Sequence, residues 1–195
     1  SLYDPITQKS ANSHKPPGSV HSTLPPYQAE ATLKAENDGV YYTVVRIGTH
    51  ERGQGTPFTL IADTGSSSIA VPCKGCNCGL TKHYFDIYNS GGSTRDTKNM
   101  YSQCYGEGSC NSGKLIQDVM CFGPKCLAAG GVMQVFGCCS KYAPSFQAQE
   151  ADGIIGLGHS NTLVKALQKG GELLAHQFAL CISKSAGRLT VGGCE

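Results

Sequence analysis

Charge is scarce in this chain. Only 15% of its 195 residues are Asp, Glu, Lys or Arg, the net charge is +2, and neither a basic block nor an acidic tail occurs. Binding to nucleic acid or to a charged membrane surface has no electrostatic footing in such a sequence. Long apolar runs are missing too. The longest are a few residues, far below the roughly 20 that cross a bilayer as a helix, so no membrane anchor is expected in this segment. The start, Ser1-Leu2-Tyr3-Asp4, lacks an initiator Met, a basic region and an apolar stretch. It reads as a processed or truncated chain rather than as a signal peptide. No Asn-x-Ser/Thr sequon is present either, so glycosylation gives no pointer to the compartment.

Cysteine and glycine are abundant: 11 and 25 residues respectively, in a chain that is 39% hydrophobic. The length suits one sizeable core and a single domain, with two small lobes as the outer limit. The spacing Cys73-x2-Cys76-x-Cys78 admits a zinc reading, but no second Cys-x2-Cys follows and His83 sits at no regular ligand spacing. Disulfides are the expectation, with no metal, and they imply a secretory lumen or the extracellular space. An odd cysteine count leaves a free thiol or a partner on another segment.

Residues 1–30 carry Pro5, Pro16-Pro17 and Pro25-Pro26 with few apolar residues, an extended arm or the remnant of a pro-segment. From Ala31 the texture changes. Strands are expected at 40–47, 57–62, 68–71, 114–120, 131–137, 177–182 and 188–191, from β-branched and aromatic density between glycine-rich turns. The run 57–62 is nearly continuous in apolar residues and is expected to be buried on both faces. Helical spacing appears only at 162–169, with Ser160 or Asn161 as N-cap and Gly170-Gly171 as terminator. The pattern is all-β with one short helix.

Asp63 ends the apolar run 57–62 and enters Thr64-Gly65-Ser66-Ser67. A carboxylate there needs hydrogen bonds to offset its desolvation. Gly65 lets backbone amides approach it, and Thr64 and Ser66 supply hydroxyls. On its own, Asp63-Thr64-Gly65 also fits an ordinary strand-ending turn. Its neighbours decide the matter. Phe58 to Pro72, then Tyr105-Gly106-Glu107-Gly108-Ser109 with Gly113-x-Leu115-x-x-Asp118-Val119, then Ala151-Asp152-Gly153-Ile154-Ile155-Gly156-Leu157-Gly158, and finally Phe178 to Ser183 with Gly187 to Gly193, occur in that order. Together they resemble the N-terminal lobe of the pepsin-like aspartic proteases over residues 31–195. The segment Pro72-Cys73-Lys74-Gly75-Cys76-Asn77-Cys78-Gly79, leading to His83, is similar to the insert of the cysteine-rich, plasmepsin V-like and nepenthesin-like branch.

The resemblance implies the lobe of a bilobal acid-protease fold and peptide-bond hydrolysis without a cofactor. A water between two aspartates would be activated, because carboxylates about 3 Å apart cannot both ionise and so share a proton. Asp63 would be one of the pair, with Ser66 donating to its outer oxygen. Thr64 would tie two lobes together, and Gly65 would admit backbone and water. Tyr105, with Gly106, would lie at the tip of a flap over the substrate. Glu107 is either a substrate contact or a solvated turn acid. Ala70 stands where many family members carry Trp, and the chain has no Trp at all.

A second Asp-Thr/Ser-Gly is missing from the sequence, and Asp152, Asp118 and Asp86 lack that context. Peptide or protein substrate is therefore expected only with a second lobe, from the same precursor or another chain. The alternative is a non-catalytic pepsin-like binding or structural subunit of a larger assembly. A metal module on Cys73, Cys76 and Cys78 is the weaker third reading. Nucleotide binding through Gly153-x-x-Gly156-x-Gly158 fails on reversed spacing and the lack of a βαβ unit.

Overall fold

The computed structural model describes residues 29–35, 39–50, 55–106, 108–123, 131–160 and 162–193. The strands are β1 (Ala29–Ala35), β2 (Tyr41–Ile47), β3 (Thr56–Asp63), β4 (Ile69–Pro72), β5 (Arg95–Cys104), β6 (Cys110–Phe122), β7 (Val132–Lys141), β8 (Gly153–Gly156), β9 (Phe178–Ile182) and β10 (Ala186–Val191). The helices among the described residues are α1 (Pro144–Gln147) and α2 (Thr162–Lys169). The all-β expectation holds, but with two helices rather than one. The expected arm lies outside the described residues apart from its last two positions, which open β1.

All ten strands join one sheet in the order β5-β6-β7-β4-β8-β3-β2-β1-β10-β9, and β6 also pairs with β2. That extra pairing closes β2, β3, β8, β4, β7 and β6 into a ring. It is made possible by the length of β6. Its far end, Met120–Phe122, reaches Val45–Ile47 of β2, while its near end pairs with β5 and β7.

Alternation decides what fills the ring. Thr43, Val45 and Ile47 of β2 point inward, as do Phe58 and Leu60 of β3. They meet Ile69, Val71, Ile116, Met120, Phe136, Ile155 and Leu157 in one core, to which α2 adds Leu163, Val164 and Leu167. Each such side chain contributes about 1.5–3 kcal/mol by leaving water. The outer face of β3 is only half-buried at Thr59 and Ile61. The expectation of burial on both faces is thus corrected: Ile61 forms the wall of an open cavity instead.

The helix α2 ends where the glycines were expected to end it. Gly170 and Glu172 donate their amides to Ala166 and Leu167 at 2.9 Å each, and Gly171 takes φ +76°. Asn161, one of its two expected N-caps, lies outside the described residues.

Candidate active site

Asp63 sits at the last position of β3, opposite Gly156 of the parallel strand β8. Strand β8 lies between β3 and β4, parallel to one and antiparallel to the other. The loop that leaves β3 at Asp63 and returns as β4 therefore arches over the end of β8. Three short backbone bonds fasten it there: Leu157 N–H to Asp63 O at 2.6 Å, Gly158 N–H to Ser66 O at 2.7 Å, and Gly156 N–H to Ser68 O at 2.8 Å. A side chain on β8 would forbid this approach, since a Cβ at Gly156 would come within 2.6 Å of Ser66 O and of Ser67 backbone.

Held in this way, the Asp63 carboxylate is half-buried, and its Oδ1 accepts the Gly65 amide at 2.8 Å. Gly65 is thus the donor on that oxygen, while Ser66 Oγ is buried and makes no hydrogen bond among the described residues. Thr64 is exposed at the crest of the loop.

Above the carboxylate stands the hairpin β5–β6, whose tip carries Tyr105 and Gly106. Glu107 lies outside the described residues. Cys104 faces Cys110 in the register and is bonded to it, closing the tip covalently. The Tyr105 ring packs on Phe146 of α1 at a centroid distance of 5.0 Å. Both belong to a second apolar cluster with Ala70, Tyr101, Cys139, Tyr142 and Ile154. The small Ala70 side chain leaves room there for three tyrosines. Tyr101 OH lies 3.3 Å from Ser68 Oγ, next to the Asp63 loop, whereas Tyr105 OH is buried without a partner among the described residues. Burial, reinforced by the neighbouring Tyr101, raises the Tyr105 phenol above its ordinary range. Burial likewise pushes the Cys139 thiol up to about 12. The floor of the site beneath the Asp63 carboxylate is therefore uncharged.

Between flap and loop opens a cavity of about 340 Å³ whose lining includes Asp63, Ile61, Tyr105, Phe146, Gln149 and Ile154. Phe146 and Gln149 went unread in the sequence. Phe146 sits in a stretch of mixed polarity, and a helix of one turn is too short to show a period. Gln149 has a buried Oε1 without a hydrogen-bond partner among the described residues, which no sequence pattern announces.

Asp152, Asp118 and Asp86 are engaged elsewhere. Asp152 precedes Gly153, the partner of Leu60, so it stands more than three residues along the strand from Asp63, about 10 Å or more. That is too far to share a proton. Its carboxylate, 1% exposed, is bonded by Thr59, Thr81, Lys82 and His83. Asp118, fully buried, takes Thr94 Oγ1 at 2.6 Å and the Val119 amide at 2.7 Å, along with Ser93. Asp86 pairs with Lys74 at 2.7 Å, which holds its carboxyl below the ordinary range.

The three thiols of the zinc reading are all consumed in bridges, Cys73 with Cys138 and Cys76 with Cys78. Cys121 is disulfide-bonded as well, and Cys139 and Cys181 are free.

Comparison with known proteins agrees with this geometry. The family described as eukaryotic aspartyl protease matches residues 40–192. Aspartic protease 5 of Toxoplasma gondii is 31% identical over 193 residues, covering 80% of this chain and 20% of that protein. Aspartic protease 1 of Caenorhabditis elegans is 37% identical over 130 residues, 62% of this chain and 30% of its own length. Plasmepsin V of Plasmodium falciparum is 29% identical over 163 residues, 70% of this chain and 27% of its own. The chain spans less than a third of the length of each of these three relatives. With the closed strand ring, the braced Asp63 loop and the flap above it, the chain belongs to the eukaryotic aspartyl protease family, the pepsin-like aspartic proteases.

Proposed function

We propose that the chain supplies one of the two carboxylates of an aspartic endopeptidase, Asp63, together with the flap that covers the substrate. The observation that carries this reading is the position of Asp63. It ends a strand clamped by β8, stands half-exposed on the wall of a 340 Å³ cavity, and lies beneath the tyrosine of a hairpin tip. A substrate peptide in extended form would lie in that cavity, its apolar side chain against Ile61, Phe146 and Ile154.

A second carboxylate would come from a second lobe, on the same precursor or another chain. Facing Asp63 at about 3 Å, it would share one proton with it. The ionised member would take a proton from water as general base, while the protonated member would donate to the peptide carbonyl oxygen. Ser66 Oγ, buried and without a partner among the described residues, is a donor that such a pair would engage. Exposed Thr64 would meet the second lobe across the crest of the loop. The bridges fit an oxidising compartment such as the secretory lumen.

The test is Asp63→Asn in the full-length protein. Cleavage of a denatured protein substrate should fall on the order of 10⁴-fold, as for other groups that act as a unit, while thermal unfolding stays unchanged. Turnover retained by the variant would place the chemistry elsewhere. A wild-type protein that binds peptides in this cavity without cutting them would be the non-catalytic subunit instead.

A further inference from the structure

Only one of the described bridges joins two exposed residues. Cys104 and Cys110 are both open to solvent, whereas Cys138 and Cys78, each 1% exposed, seal one end of the other two bridges. Thiol–disulfide exchange requires an attacking thiolate to reach a sulfur, so access ranks the three, and the exposed bridge is the labile one.

Its place in the fold gives that lability a consequence. Cys104 immediately precedes Tyr105, and the bridge spans the hairpin tip across its last register pair. Apart from the Tyr105 ring on Phe146, little among the described residues holds the tip. Among those residues two backbone bonds cross it, Tyr105 N–H to Ser109 O at 2.8 Å and Gly108 N–H to Tyr105 O at 2.9 Å. A Cβ at Gly106 or Gly108 would meet nothing within 4 Å. Strand β5 is the outer strand of the sheet, with its register shifted between Asp96 and Met100. A tip anchored to the rest of the fold mainly by one ring belongs to the low-stability end of a fold. The covalent ring removes the conformers in which it splays.

We propose that Cys104 and Cys110 are a positioning pair for the substrate. Oxidised, they hold Tyr105 on Phe146 over the Asp63 cavity. Reduced, they release the flap, and substrate must then order it on binding. The switch is a two-electron exchange with a dithiol. One dithiol thiolate attacks one sulfur of the bridge, and the second then displaces the mixed disulfide. The dithiol becomes a disulfide, and Cys104 and Cys110 leave as two thiols carrying the two protons. The effect on substrate rests on the protease reading above; the effect on the flap does not.

The experiment uses the full-length protein under graded dithiothreitol, with alkylation and peptide mapping, hydrogen exchange of the flap amides, and peptide-cleavage kinetics. Cys104 and Cys110 should label before any other bridged cysteine, and exchange at Tyr105 and Gly108 should rise in step with them. KM should rise about tenfold with kcat nearly unchanged, the signature of an ordering cost on binding rather than a damaged site. Reoxidation should restore all three. Cys104→Ser/Cys110→Ser should match the reduced protein and ignore dithiothreitol. Earlier labelling of Cys73–Cys138 or Cys76–Cys78 overturns the proposal, as does a double variant whose flap exchange equals that of the oxidised protein. If the protein cuts nothing, labelling and hydrogen exchange decide the question alone. If it cuts with a KM indifferent to the bridge, the positioning role is wrong while the protease reading stands.

Discussion

Asp63 and Asp152 stand near opposite ends of the same pair of strands, and their surroundings separate them more clearly than their sequence words do. Asp63 accepts the Gly65 amide and opens on a cavity. Asp152 is enclosed. Its Oδ2 accepts Thr59 N–H at 2.8 Å and Thr59 Oγ1 at 2.9 Å, with His83 Nδ1 at 2.8 Å, and its Oδ1 accepts Thr81, Lys82 and His83. Burial alone would push this carboxyl up, but the bonds from Thr59, His83 and Thr81 outweigh it, and the group lies below its ordinary 3.8. A carboxyl lowered in the folded state stabilises the fold above its unfolded value, and that contribution is lost as pH falls through 3.8 toward the folded value. Asp152→Asn should therefore cost about 2–4 kcal/mol at pH 7, since one oxygen's acceptors are replaced by donors against buried donors. Urea unfolding at pH 7 and at pH 3 checks it: the gap between wild type and variant should shrink in acid. A gap that does not change with pH would mean that the charge on Asp152 is not what the network holds. In the sequence, Asp152 was legible as an aspartate outside the Asp-Thr/Ser-Gly context, but its partners were not. Thr59 lies on β3 and Thr81 and His83 in the segment between β4 and β5, and only folding brings them to one oxygen pair.

At the level of elements, the arch over β8 is the feature that makes a site from a strand end. Its requirement is negative: no Cβ on β8 where the loop crosses. Gly156→Ala places a carbon within 2.6 Å of Ser66 O, which is backbone and cannot rotate away. The Asp63 loop must move, and overpacking of this kind costs about 1–3 kcal/mol. Guanidinium unfolding should show that loss. Cleavage by the full-length protein at a temperature where the variant is still folded should fall further than the loss of stability accounts for. Full activity in a destabilised variant would mean that the loop tolerates displacement. Elements with a clear period or dense β-branching were legible, as α2 and β2 were, because burial on one face imposes that pattern. The strand β5 was not. Its sequence Arg95–Cys104 is polar, Tyr101 alone is buried, and the register shift at Lys98, with φ +64°, breaks the alternation a strand should print. An outer strand held by its neighbour's backbone needs few apolar residues. Likewise β1 was hidden at the edge of the proline-rich arm because its evidence is the pairing with β10 and β2, not its own composition.

For the molecule as a whole, the bridges differ by the length of chain each one closes. Cys73–Cys138 spans 65 residues and joins the end of β4 to β7, where Cys73 N–H also donates to Cys139 O at 2.8 Å. Everything from the cysteine-rich segment through the flap hairpin lies inside this loop. Cys76–Cys78 spans 2 residues and constrains one turn. Because the entropy removed from the unfolded chain grows with the logarithm of loop length, the long bridge contributes about 4 kcal/mol and the short one about 2 kcal/mol. The gap widens in the folded state, since Cys138 belongs to the main core and its truncation leaves space that Phe136 and Phe85 cannot fill without moving. Cys73→Ala/Cys138→Ala should therefore lower the urea midpoint much more than Cys76→Ala/Cys78→Ala does, with both variants measured at equal protein concentration and without reductant. The same order should appear in protease susceptibility of the segment between β4 and β5, which the long bridge pins to the ring beside the bonds of Thr81, Lys82 and His83 to Asp152. If the two double variants unfold at the same midpoint, loop length is not what these bridges contribute. The cysteine-rich segment would then be held by its own contacts, Lys74 on Asp86 and His83 on Asp152, rather than by the bond to β7.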